Sequence, residues 1–198
     1  MSTLKNGNSG KNGNSGLSAL IKAARAQGDG VLPVDKWHPE HCGDMDMVIR
    51  KDGSWWHEGV RITRAPLVKL FSRILRKDED GETYLVTPVE KIRITVECAH
   101  FLAVRVDVKG AGETQRLFFT TNMNAVIEAE PDHPISVETD PDSLEPTPLL
   151  RVRGRLDALI NRAVFYELVE HAIEVDNQLG VYAGGVFFPL GPKGVHNV

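Results

Sequence analysis

Cysteine is scarce: Cys42 and Cys98 are the only two in 198 residues, too few for a disulfide framework and in keeping with a reducing environment. Long apolar runs are missing too. No segment has the length to span a bilayer, and the first residues lack the apolar core of a secretory signal, so no membrane partner and a cytoplasmic location are expected. Positive charge is not in excess: 23 Lys and Arg face 27 Asp and Glu, for a net charge of -4, which argues against nucleic acid as a partner held by overall charge. A glycine-rich phosphate loop, a Gly-X-Ser-X-Gly elbow and a second Cys/His cluster at zinc spacing are all absent. With no catalytic signature, a non-enzymatic role without a cofactor is the expectation. The chain does have the means to fold, since 41% hydrophobic residues support a core of one or two domains.

Residues 5–16 are Lys-Asn-Gly-Asn-Ser-Gly twice over. Small and polar, they have nothing to bury, and residues 1–16 are expected to form a disordered tail. Leu17, Leu20, Ile21 and Ala24 then share one face of a short helix that stops at Gln27-Gly28-Asp29-Gly30.

Beyond the tail, one segment occurs twice. Ile62-Thr63-Arg64-Ala65 opens the apolar series Leu67, Val68, Leu70, Phe71, Ile74, Leu75 and the chain reaches Tyr84. Ile160-Asn161-Arg162-Ala163 opens Phe165, Tyr166, Leu168, Val169, Ala172, Ile173 and reaches Tyr182. Aligned without gaps, 6 of 23 positions are identical. Apolar residues at i, i+3, i+4 and i+7 predict an amphipathic helix followed by a strand in each copy. Two copies imply two similar half-domains, 17–98 and 99–198, with a ligand cleft expected between them.

In the first half, Met47–Arg50 and Trp55–His57 flank Lys51-Asp52-Gly53-Ser54, a hairpin signal. Glu58-Gly59 turns into a helix over Ala65–Arg76 with Pro66 in its first turn. Tyr84–Val86 and the alternating Ile92, Ile94, Val96 predict strands. In the second half, Leu102, Val104, Val106 and Val108 alternate with polar residues. Arg116–Thr120, Ala125–Ala129, Pro134–Val137, Leu149–Val152 and Gly185–Phe188 also read as strands, 138–148 as a loop, and Ile160–Glu174 as a helix region. The fold class expected is α+β: two similar half-domains of antiparallel strands plus a helix.

Three groups of residues could carry chemistry. His38, His41, Cys42, Asp44 and Asp46 are metal-ligand types in one loop, but one short loop does not close a site, and the favoured reading is structural, with Cys42 buried and Asp44 satisfying turn amides. Trp55 and Trp56 alternate along a strand, so one faces the core and Trp56 is left to stack on a flat ligand or pack elsewhere. Arg64 and Arg162 open the two repeat helices, where guanidinium forks and free N–H groups favour phosphate or carboxylate. Arg151, Arg153 and Arg155 alternate along one extended face. Each arginine could equally pair with an acid such as Glu58, Glu90 or Asp157.

Four segments, Cys42–Met47, Asp52–Gly59, Leu85–Lys91 (which includes Glu90 and Lys91) and Gly184–Pro189, together resemble family 1285 in the domain-of-unknown-function series, a bacterial family, over about residues 30–190. The resemblance implies a duplicated core whose second half is similar to pleckstrin-homology domains, as a barrel or sheet with a helix. It also implies a nucleotide-like ligand between the domains and a part in signal transduction, without established catalytic residues. Taken with the residues above, the expected ligand-binding set is Arg64, Arg162, Trp56, Glu90, Lys91, Tyr84, Tyr182 and Arg153, for a small anionic molecule. A protein partner held by the second half is the alternative, and a metal-dependent enzyme using the His38–Asp46 loop a third reading.

Overall fold

The computed structural model describes residues 13–28, 32–139 and 145–192. They form two compact units, one drawn from Met1–Met47 and His57–Thr95, the other from Val48–Trp56 and Val96–Val198. Val48–Trp56, the tip of one hairpin, thus groups with the second unit. Most of the repetitive tail lies outside the described residues, and its last four fall in a helix.

That helix, α1 (Gly13–Arg25), begins ahead of the expected Leu17. It buries Leu20 and Ala24 completely and packs against α2 (Ala65–Arg73). A 3-10 turn at Val34–Lys36 follows. Strand β1 (His41–Ile49) starts earlier than its apolar residues announce: Met47 and Ile49 are fully buried, but its first half is polar and has the composition of a loop. The hairpin to β2 (Trp55–His57) is as expected. Gly53, at φ 74°, turns the chain, Arg50 N donates to Ser54 O at 2.9 Å, and the Asp52 carboxylate accepts from Ser54 N at 2.9 Å. Glu58 and Gly59, both at positive φ, lead into β3 (Val60–Arg61).

Helix α2 ends at Arg73 instead of running to Arg76. Leu75–Lys77 form β4, which pairs antiparallel with β5 (Thr83–Val86). Ile74 and Leu75 are fully buried, so they continue the apolar series after the helical geometry has stopped. Strand β6 (Lys91–Val96) pairs antiparallel with β5, and the sheet order is β3-β2-β1-β6-β5-β4.

The second unit carries β7 (Phe101–Lys109), β8 (Arg116–Thr121), β9 (Val126–Glu128), β10 (Ile135–Thr139), β11 (Pro146–Arg153) and β12 (Leu156–Ile160), in the order β10-β11-β12-β7-β8-β9. Strand β12 was not expected, and only its last residue, Ile160, falls in the expected helix region. It pairs parallel with β7, so the sheet is mixed, not wholly antiparallel. A register shift between Ala103 and Arg105 also breaks the alternation read along β7: Ala103 and Val106 are buried while Val104 is 43% exposed. Helix α3 (Arg162–Glu170), capped by Asn161 Oδ1 accepting from Val164 N, ends short of Glu174. A separate antiparallel sheet of β13 (Ile173–Val175), β14 (Gln178–Ala183) and β15 (Val186–Pro192) follows.

The duplication is therefore a helix followed by a three-stranded meander: α2-β4-β5-β6 and α3-β13-β14-β15. The class is α+β, as the alternation of patterns implied. The gapless alignment does not survive. Val68 N donates to Arg64 O as Phe165 N donates to Asn161 O, so Arg64 corresponds to Asn161 and not to Arg162. One extra residue after α3 restores the match of Leu75 to Ile173. Arg76 faces Tyr84 across its hairpin, whereas Glu174 faces Leu179. Tyr84 thus corresponds to Leu179, and Tyr182 has no tyrosine counterpart.

Candidate functional site

In the first unit the strands gather a charged cluster. The Asp78 carboxylate, in the β4–β5 turn, accepts from Arg76 Nε at 2.5 Å and Nη2 at 3.2 Å, and from Lys91 Nζ at 3.0 Å. Arg76 also donates to Val34 O at 2.8 Å and Trp37 O at 2.6 Å, which fastens the segment before β1. Burial opposes ionisation of Asp78, but the hydrogen bonds from Arg76 and Lys91 outweigh it and leave the carboxyl below its ordinary value. Lys91 Nζ also lies 4.2 Å from the centre of the Tyr84 ring, and the Tyr84 hydroxyl donates to Asp80 at 2.7 Å. That bond, with burial second, pushes the phenol up to about 12.

Two of the expected ligand contacts, Tyr84 and Lys91, are therefore brought together, but inside a network that already satisfies them. To hold an anion, Lys91 would have to share its charge with Asp78. Beside it, Glu90 closes a tight loop: Thr87 N donates to Glu90 O at 2.9 Å, and the Thr87 hydroxyl accepts from Glu90 N at 3.2 Å. One Glu90 carboxylate oxygen is buried without a hydrogen-bond partner, and burial raises the acid above its ordinary value.

Arg64 caps α2 with its backbone: its carbonyl accepts from Leu67 N and Val68 N, and it makes no side-chain cap. Its side chain is exposed and takes no partner among the described residues. Most other arginines on the strands have acids. Arg93 holds Asp44, Arg116 holds Glu128, Arg105 holds Asp107, and Arg151 holds Asp157 at 2.5 Å, one of the pairings foreseen. Arg162 donates to the Tyr166 hydroxyl at 2.8 Å and faces no acid among the described residues.

Trp56, Arg153 and Tyr182 lie on β2, β11 and β14. Trp55 is buried at 1% exposure and Trp56 is not, as strand alternation requires. One face of the Trp56 ring is covered by the Arg50 guanidinium at 3.7 Å, and its indole N–H donates to Ser54 Oγ at 2.8 Å, so this ring is already stacked. Tyr182 packs edge-on to Phe187 at 5.5 Å, and its carbonyl accepts from the buried Gln115 at 3.0 Å. Arg153 ends β11 where the register slips, and Arg155 sits in the turn beyond. The three alternating arginines therefore do not share one strand face.

The His38–Asp46 segment runs into β1 from His41 onward. Among the described residues no group of three or more His, Cys, Asp or Glu is placed to hold an ion. Asp44 pairs with Arg93 and lies 3.4 Å from His41, so it serves another strand and not turn amides. Cys42 is exposed, not buried as the structural reading assumed, because it lies on the outer face of β1. The role of Arg76 and Asp78 escaped sequence reading. Their signal was present, since the acidic run Asp78-Glu79-Asp80 after Arg76-Lys77 begins a turn, but the partners Val34 and Trp37 are distant in sequence.

No curated protein matches this chain. A crystal structure of a DUF1285 family protein from Silicibacter pomeroyi DSS-3 is 43% identical, covering 88% of this chain and 95% of that one, with a TM-score of 0.83. A second, from Shewanella baltica OS155, is 26% identical over 64% of this chain and 92% of that one, with a TM-score of 0.47. Residues 32–99 match the N-terminal domain of unknown function of DUF1285, and residues 100–190 match the C-terminal domain of the protein of unknown function DUF1285. The chain belongs to the DUF1285 family.

Proposed function

We propose that this protein is a non-enzymatic binder of a small anionic, nucleotide-like molecule that serves a sensing role in signal transduction. The observation that carries the reading is Arg64. Its guanidinium is exposed and without a partner among the described residues at the start of a nine-residue helix, where free N–H groups add to its pull on phosphate or carboxylate. Arg162, exposed and donating to the Tyr166 phenol, is a group of the same kind in the second unit, and in the first unit Lys91 with Tyr84 adds a cation beside an aromatic face.

Thermal melts with ADP and with inorganic phosphate test the reading. A charge-assisted hydrogen bond is worth about 1.5–3 kcal/mol, so Arg64→Ala should weaken binding by one to two orders of magnitude while the unliganded protein melts as before. An Arg64→Ala variant that keeps the full ligand-induced shift, or a wild type that shows none with either probe, refutes the reading. A shift with ADP but not phosphate assigns the nucleoside as part of what is recognised.

A further inference from the structure

The sheet of the first unit has two edges, and they are finished differently. At one, β4 lies against the 3-10 turn, and Arg76 holds the carbonyls of Val34 and Trp37. At the other, β3 contributes only two residues. Val60 is 69% exposed there, and Arg61 and Thr63 are exposed beside it. An edge strand directs backbone N–H and C=O groups away from its sheet, which makes it a template for another strand.

The cations of this unit divide in the same way. On β4 and β6, Arg76 and Lys91 hold Asp78, and Arg93 holds Asp44. On β3 and around the start of α2, Arg61, Arg64 and Lys69 are exposed, and none meets an acid among the described residues. From Gly59 to Lys77 the chain contains no Asp or Glu. Three residues put the Cα atoms of Arg61 and Arg64 at most about 10 Å apart, and five helical residues put Lys69 about 7.5 Å further along. Alternate side chains of an extended strand recur on one face about every 7 Å, so carboxylates at alternate positions suit cations spaced in this way. A short, charged edge strand also guards against aggregation. That role accounts for Arg61, but not for Arg64 and Lys69 beyond the strand, nor for the apolar Val60 left at the edge.

We infer that the outer edge of β3 with the start of α2 is a docking surface for an extended acidic segment of a partner protein, which adds as a strand. Main-chain bonds to β3 set the register, an apolar side chain covers Val60, and carboxylates meet Arg61, Arg64 and Lys69. The free edge is what favours a protein over other polyanions, since nucleic acid and anionic lipid bring charge but no strand. This goes beyond the anion-binding reading and does not rest on it, because the edge strand, Arg61 and Lys69 carry it.

A fluorescein-labelled peptide of alternating valine and glutamate, added to the full chain, tests the inference by fluorescence anisotropy. It should bind saturably, and more weakly as salt is raised. Arg61→Glu, Lys69→Glu and Val60→Asp should each weaken it roughly three- to tenfold, with the fold of each variant checked by far-ultraviolet dichroism. Methylating the backbone nitrogens of the peptide keeps its charge but removes its main-chain donors, and should abolish binding with the protein unaltered. No saturable binding, full affinity in the three variants, or equal affinity for the methylated peptide overturns the inference, the last in favour of a patch that takes any polyanion. Melts with ADP keep the two readings apart. A variant that loses the peptide but keeps its ADP-induced shift supports strand docking, whereas loss of both in Arg61→Glu and Lys69→Glu assigns these cations to the small anion and overturns it.

Discussion

Arg76→Met should cost the first unit about 3 kcal/mol. The side chain is 13% exposed and its Asp78 partner 20%, so water softens the pair without removing it. The arginine makes four hydrogen bonds, two to Asp78 and two to the carbonyls of Val34 and Trp37. Methionine keeps much of the stem's packing but strands the carboxylate and two acceptors. Breaking a buried pair costs about 3–5 kcal/mol. Because Lys91 stays at 3.0 Å from Asp78, the low end applies. Asp78→Asn should cost less, about 1–2 kcal/mol, because Arg76 keeps its two carbonyls and an amide oxygen. The pH dependence has a definite sign. Asp78 titrates below its ordinary 3.8 when folded, so its contribution is present above that value and fades as pH falls through the folded value. Urea unfolding at pH 7 and pH 3 measures both effects. Hydrogen exchange at Lys36 N and Trp37 N, bonded to Pro33 O and Val34 O, reports whether the segment loosens first. A loss below about 1 kcal/mol, or one that is as large at pH 3 as at pH 7 for Asp78→Asn, would refute the idea that this network fastens the segment.

Gly53→Ala should destabilise the second unit by about 1–3 kcal/mol: the new Cβ would sit 2.8 Å from Leu102 Cδ1 and 2.9 Å from Asn122 Nδ2 at φ 74°, and a melt unchanged within a degree contradicts this. Glu90→Gln should stabilise at neutral pH. Burial raises this acid above 4.5, so its favourable share exists only below that value and is lost as pH rises through the folded value; a gain at pH 4 equal to that at pH 7 contradicts the cause. Asn161→Ala removes the acceptor for Val164 N at 2.9 Å and should cost about 1 kcal/mol, whereas Arg64→Ala, whose side chain caps nothing, should cost under about 0.5 kcal/mol. Chemical denaturation compares the two directly.

Much of this fold was legible. The Asp52-Gly53 turn, the inward Trp55 and outward Trp56, the buried Ile92 and Ile94, and the duplicated helix all follow from period and turn chemistry. Other parts were hidden for physical reasons. The first half of β1 is polar because its outer face carries Asp44 toward Arg93 and its inner face contains Gly43. Ile74 and Leu75 extend a helical apolar series although they pass from a helix cap into a strand, and burial alone cannot distinguish the two. The run Leu156–Ile160 is only five residues long and is parted from α3 by Asn161 alone, so the parallel partner of β7 did not stand out from the helix that follows it. Of the site, the arginines at the helix starts were visible, but the engagement of Lys91 and Trp56 was not. Their partners, Asp78 and Arg50, are fixed by hairpin register, which sequence spacing does not encode.

The two tyrosines illustrate why equal spacing is a poor guide to equivalence. Tyr84 and Tyr182 fall at matching places only because one extra residue after α3 and a β13–β14 turn of Asp176-Asn177, both at positive φ, alter the count. The first copy spends five residues, Asp78–Glu82, between Lys77 and Thr83, and the second two, between Val175 and Gln178. The longer turn is what brings Asp78 to Arg76 and Lys91, and Asp80 to the Tyr84 hydroxyl. Shortened, the second copy has no loop from which to build that cluster, and Glu174 stands where the first copy has Arg76. One difference in turn length thus accounts for the loss of the network. The change of charge from Arg76 to Glu174 adds to the divergence of the copies, with helix and meander kept intact.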